Sequence, residues 1–243
     1  MKVDQCVVHH SAHEVAEAVA GRLVTRLVEL IGDQDGASLV LATGTEPVLR
    51  VLANSPAGDA VDWSRVDVYF ADEYFIDVSS PERHDQLARS ILFDRHPARL
   101  HPMPSPRDFS APEEAANAHA TALGLGRTRM PAFDLVLMAI GTDAHVGSLF
   151  PEHPVLHDNR WVAAVRGVGE HHRLTMCVPL LTNADEIWLM ATGADHEDAV
   201  RLTLSERAGI KQAPSAAIRG KYRTALFVDT DAAGELAGRI ASP

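Results

Sequence analysis

The sequence predicts an α/β fold, a mainly parallel twisted sheet with helices on both faces, and three observations carry that expectation. Strand-length apolar runs alternate with segments of helical spacing along the chain, and each run closes on a glycine or a short polar turn. The run from Leu135 to Ile140 also lacks polar alternation, so both of its faces must be covered.

Each element follows from its residues. Val15, Ala18, Val19, Leu23, Leu27 and Leu30 recur at near-helical spacing over residues 12–31, which predicts the first helix. The loop GDQDG then leads into ASLVLATG, a short strand closed by Gly44. A helix restarts over residues 47–52, where Pro47 is suited to a first turn, and its amino-terminal amides would face any anion lying over Thr43, Gly44 and Thr45. A second strand over 66–70 runs into Asp72 and Glu73, and a helix follows over 82–93. Residues 101–131 are rich in Ala, Pro and polar side chains and read as a loop plus one surface helix over 112–123. The third strand enters the turn GTDAH; a fourth, EIWLMATGADH, again ends in glycine, and RTALFVDTDAA makes a fifth. Four strand ends are expected to converge on one crevice of a single domain spanning 1–243, with an inserted loop or small lobe near 151–170.

Composition narrows the function classes. With 243 residues and 46% hydrophobic content the chain can bury an ordinary core, and a net charge of −11 argues against a nucleic-acid or anionic-membrane surface. The amino terminus is too polar for a secretory signal and no apolar run approaches the roughly 20 residues of a spanning helix. Cys6 and Cys177 show neither metal-ligand spacing nor a redox pair, so a reduced, cytoplasmic protein is expected. The 13 histidines form no zinc motif, and no nucleophile elbow, P-loop or dinucleotide fingerprint is present. Neither metal nor cofactor is therefore expected, and the partner is a small molecule; the oligomeric state is not legible.

Four segments can carry chemistry. LATGTEP offers backbone amides to an anion or to sugar oxygens, although any strand-to-helix connection needs such a turn. ADEYF places Asp72 and Glu73 after a buried strand, to hold a sugar hydroxyl, orient a histidine or cap the following segment. In GTDAHVGSLFP, His145 can take a proton from water if Asp143 or Asp72 fixes its tautomer. Arg173, ahead of an apolar alternating stretch, can clamp a carboxylate, a phosphate or a developing oxyanion.

Taken together, VDWSRVDVYFADE, PERHDQLARSIL, LHPM, FDLVLMAIGTDAHVGSLFPEHP, RLTMCVPLL, EIWLMATGADHEDAV and PSAAIRGKYRTALFVDTDAA resemble the 6-phosphogluconolactonase family, whose fold it shares with glucosamine-6-phosphate deaminase and ribose-5-phosphate isomerase. SLFPEHP after the Gly-x-Asp-x-His turn resembles the lactonases, where deaminases carry Asn-Glu-Pro. The resemblance implies metal-free lactone hydrolysis with His145 as general base, Asp72 or Asp143 orienting the imidazole or the sugar, and amides near Gly44 with Arg173 meeting negative charge. It also implies that Thr43, Gly44, Thr45, Glu73, Tyr74, His84, Gly141, Ser148, Arg173 and His196 contact a sugar substrate. The chain departs from the family pattern at several of these positions. Tyr74 stands where lactonases usually carry Arg, His196 where they carry Lys, His84 where they carry Asn and Ala144 where they carry Gly, and Glu46 brings an acid into the first turn. Loss of the Arg and Lys alters the expected phosphate subsite and leaves two alternatives beside the standard lactonase: an enzyme for a non-phosphorylated or amino-sugar substrate, and a non-catalytic sugar-binding protein.

Overall fold

Seven parallel strands form the main sheet of the computed structural model, which describes residues 3–124 and 130–236. In chain order the strands are β1 (Gln5–His9), β2 (Ala37–Leu41), β3 (Val66–Phe70), β4 (Asp72–Tyr74), β5 (Arg99–His101), β6 (Leu135–Ala139), β7 (Val162–Val165), β8 (Arg173–Met176), β9 (Glu186–Ala191) and β10 (Arg223–Asp229). The helices used below are α1 (Ala12–Asp33), α2 (Glu46–Asn54), α3 (His84–Ala88), which continues as a wider turn over Arg89–Phe93, and α4 (Pro112–Gly124).

The spatial order is β1-β10-β9-β6-β2-β3-β5. From β2 the chain moves outward to β3 and β5, then returns to the opposite side of β2 at β6 and moves out through β9 and β10. The direction therefore reverses between β2 and β6, and the crevice beyond the carboxyl ends of those two strands is where an open α/β sheet receives ligands.

Alternate residues of the central strands feed two separate cores, which is why they show no polar period. Leu135 and Leu137 of β6 pack with α1 and α2 residues such as Leu23, Leu27 and Leu49. Val136 and Met138 pack on the opposite face with Ala115 and Ala116 of α4 and with Leu174 and Met176. Full burial of each large aliphatic side chain contributes about 1.5 to 3 kcal/mol.

A second, antiparallel sheet of three strands has the order β4-β8-β7. Ala71 links it to the first: its amide donates to Leu41 O at 2.8 Å, and its carbonyl accepts from Met176 N at 2.7 Å. The segment near 151–170 supplies β7 to this sheet and a short 3₁₀ turn, Pro154–His157.

The alternating pattern located β2, β3, β6, β9 and β10, and the helices corresponding to α1, α2, α3 with its continuation, and α4. It passed over β1, β4, β5, β7 and β8. These are short and mostly partly polar, with β1 and β5 at the sheet edges and the others in the small sheet. Among the described residues no helix is long and apolar enough to cross a membrane. Cys6 and Cys177 are unpaired, and burial pushes their thiols up to about 11 and about 12, so both are inert near neutral pH.

Candidate active site

The turn after β6 is wound tightly enough to hold an imidazole against its own backbone. Gly141 N donates to His145 O, and Ala144 N donates to Gly141 O, both at 2.9 Å. A methyl group on Gly141 would overlap His145 Cε1, so the ring occupies the space that any other residue at 141 would fill. The turn closes through positive φ at Ala144 (68°) and Gly147 (54°). The first falls on the position where the sequence departs from a glycine.

His145 meets the cleft together with Gly141 and Gly147 of the same turn, and its side chain is 32% exposed. Asp143 Oδ1 accepts from the His145 backbone amide at 3.0 Å and lies 2.5 Å from His145 Nδ1. Burial pushes the Asp143 carboxyl up, but hydrogen bonds from the His145 amide and ring outweigh it and hold the group below its ordinary range. Of the two acids that sequence reasoning left open as partners of the imidazole, the one beside it is Asp143.

Asp72 lies deeper and serves the cleft floor. It is fully buried, accepts from Ser148 Oγ at 2.8 Å and from Thr43 Oγ1 at 3.1 Å, and so ties the β2 turn to the β6 turn. His84 completes this network, with Nε2 2.9 Å from Thr43 Oγ1 and Nδ1 3.0 Å from the Asp72 carbonyl.

The cleft itself encloses about 320 Å³. Thr43, Gly44 and Pro47 line it from the β2 end, Ala139 to Gly141 with His145 and Gly147 from the β6 end, and Met190 to Thr192 with His196 from the β9 end. Gly44 (φ 85°) permits close approach, since a methyl there would stand 2.6 Å from Ala139 Cβ. Its amide is already engaged by Glu46 Oε1 at 3.3 Å, so the acid introduced into this turn meets the donor expected for substrate charge. His196 Nδ1 is buried without a partner.

Several residues expected to touch substrate are instead supports. Thr45 is 2% exposed and donates to Ala42 O at 2.7 Å, which locks the start of α2. Ser148 is buried because its hydroxyl serves Asp72. Glu73 is buried beneath α3, where it accepts from the amides of Tyr74, His84 and Asp85 at 2.8 to 3.0 Å. Burial pushes Glu73 up to about 7 against the opposing charges of His84 and Arg83. It is a cap rather than a sugar ligand.

Tyr74 and Arg173 face each other across the β4–β8 pair. The Arg173 guanidinium lies 4.5 Å over the Tyr74 ring, donates to Tyr74 Oη at 3.3 Å and sits 5.4 Å from the Phe150 ring. Phe150 in turn packs against the His145 ring at 4.7 Å. Phe150 thus joins the two charged parts of the site, a role that sequence reasoning missed although the residue stands in the quoted SLFPEHP motif. Its signal was an aromatic side chain directly after a functional turn.

The comparisons agree with this architecture. Residues 10–227 match the family described as glucosamine-6-phosphate isomerases/6-phosphogluconolactonase. The chain is 39% identical to a 6-phosphogluconolactonase of Streptomyces coelicolor, over 98% of this chain and 97% of the relative, and 27% identical to one of Synechocystis, over 88% and 90%. A solved 6-phosphogluconolactonase of Trypanosoma brucei superposes with a TM-score of 0.81 at 20% identity, covering 96% of this chain and 98% of the other. The fold is also that of a glucosamine-6-phosphate deaminase, described as monomeric, at a TM-score of 0.78 and 18% identity, with 94% and 98% covered. The chain belongs to the glucosamine-6-phosphate isomerase/6-phosphogluconolactonase family.

Proposed function

We propose that this protein opens a phosphorylated sugar lactone to its acid, the chemistry for which its relatives from S. coelicolor and Synechocystis are named. The observation that carries the reading is the Asp143–His145 pair, held over Gly141 at the rim of the cleft. With Nδ1–H donated to Asp143, the lone pair of Nε2 is left to accept a proton from water. That water attacks the lactone carbonyl carbon and forms a tetrahedral oxyanion. Collapse of the oxyanion expels the ring oxygen, which takes its proton from the His145 imidazolium as the carboxylic acid forms. No bond between protein and substrate is required.

The rest of the site divides the substrate between two ends. Thr43 and His196 offer polar groups to the sugar within the cleft wall, while the buried Asp72, Ser148 and His84 fix the floor. Arg173 meets the anionic end, and one charge-assisted hydrogen bond there contributes about 1.5 to 3 kcal/mol. Two unpaired thiols are consistent with work in the cytoplasm.

Lactones of this class also open spontaneously, so the assay compares enzyme with buffer. The wild-type protein is expected to accelerate opening of 6-phosphogluconolactone, and His145→Ala to lose about 10²- to 10⁴-fold of that gain. A wild-type rate equal to buffer, or a His145→Ala variant with full activity and intact fold, overturns the reading.

A further inference from the structure

We propose that Tyr74 is a positioning residue for the anionic end of the substrate, acting through Arg173. The inference rests on the lactonase reading above and adds to it the residue that aims the cation.

Arg173 has the surroundings of a cation kept for a ligand. Among the described residues no carboxylate pairs with it, in a chain where Asp and Glu outnumber Lys and Arg by 33 to 22. Its Nε is buried without a hydrogen-bond partner. What holds the group is aromatic: Tyr74 beneath it at 4.5 Å, Phe150 at 5.4 Å and the Tyr74 hydroxyl at 3.3 Å. A planar guanidinium stacked on a ring keeps its full charge and its in-plane donors, whereas a carboxylate partner would neutralise it.

Tyr74 is itself fixed. It stands opposite Arg173 in the antiparallel register, and the rings of His84 and His171 meet it edge-on at 5.3 and 5.7 Å. Such packing leaves the ring little freedom, so the guanidinium resting on it inherits a defined direction. The location suits a substrate with two functional ends. His145 and Arg173 both lie against Phe150, whose ring is 4.7 Å from the imidazole and 5.4 Å from the guanidinium. A sugar whose carbonyl carbon lies at His145 would bring a remote anionic substituent toward Arg173.

The test is a double-mutant cycle with Tyr74→Leu, Arg173→Ala and the pair, assayed on 6-phosphogluconolactone and on unphosphorylated gluconolactone. Tyr74→Leu is expected to raise KM for the phosphorylated lactone about tenfold with kcat nearly unchanged, the pattern of a lost binding contact. KM for the plain lactone should not move. Tyr74→Phe, which keeps the ring and the packing, should give a rise of only about two- to fourfold. The double variant should be no worse than Arg173→Ala alone, because the tyrosine has nothing left to aim. Additive losses, or equal damage to both substrates through kcat, overturn the proposal. Should the wild type prove inactive on lactones, the same four proteins titrated with inorganic phosphate still decide it. Tyr74→Leu must then weaken binding only while Arg173 is present, and additive or absent losses refute the positioning role.

Discussion

The turn after β6 and the β4–β8 pair both pack against Phe150, yet they are assembled by opposite means. In the turn, the backbone and polar features that shape the His145 site lie mostly within seven residues: Gly141 yields its side-chain space, Asp143 fixes the ring, and Ala144 and Gly147 take the positive φ values that close the loop. In the pair, Tyr74 and Arg173 are 99 residues apart and meet only because two strands of the small sheet align them. The placement of the imidazole is therefore a product of local backbone chemistry, and that of the guanidinium a product of register. A base must be placed within a hydrogen bond of a reacting proton, which a rigid turn achieves. A charge that receives one end of a ligand tolerates a longer chain of support.

The sharpest way to break this contrast is Gly141→Ala. The backbone at 141 does not require positive φ, so the variant should fold and keep the wild-type melting temperature. Its methyl group would nonetheless fall on the His145 ring, and the displaced imidazole should cost about 10²- to 10³-fold in kcat. Retained activity would mean that the turn does not set the ring.

Next in size is an effect on the face of the main sheet that α4 and the small sheet cover. His119 lies on α4, which packs against β7 and β8, and burial, with the charge of His101 adding to it, pushes its imidazole down to about 4. The unfolded chain binds this proton near pH 6.5 and the folded one only near pH 4, so the unfolded state holds more protons between those values. Stability is intact above pH 6.5 and falls as the pH drops toward 4, by about 3 kcal/mol at the lower end. His119→Leu should remove that share of the loss, read as the difference between urea unfolding curves of variant and wild type at pH 7 and pH 4. Equal acid sensitivity in the two proteins would refute it.

The smallest expected effect returns to the turn. Ala144 pays for its left-handed backbone, a cost of order 1 kcal/mol for an L-residue, so Ala144→Gly should leave stability within about 0.5 kcal/mol of wild type despite the lost methyl. The same change at the buried helical Ala16 should cost about 1 kcal/mol or more. Calorimetric melting of the two variants makes the comparison, and equal losses would show that the strain is absent.

Much of this was readable in the chain. Unbroken apolar runs ending in glycine disclosed the parallel sheet and the crevice, and GTDAH disclosed the turn that holds His145 at the cleft, because strand burial and turn geometry depend on neighbours in sequence. Legibility failed where a side chain's role depends on depth. Glu73 and Ser148 look like substrate ligands in the sequence, yet both are buried, one capping α3 and the other serving Asp72. The choice between Asp72 and Asp143 was likewise undecided until the turn placed one against the imidazole and the sheet placed the other below it.

By itself, then, the sequence determined the strand-turn units, the glycine that makes room for a histidine, and the identity of that histidine, since each depends on φ, side-chain volume and periodicity over a few residues. Tertiary structure alone decided that Asp72 is buried under Thr43 and Ser148, which polar groups reach the cleft, and that an arginine rests on Tyr74 beside Phe150. Those outcomes turn on which strands adjoin and in what register, and spacing along a single chain does not encode a contact made between two strands folded from distant segments.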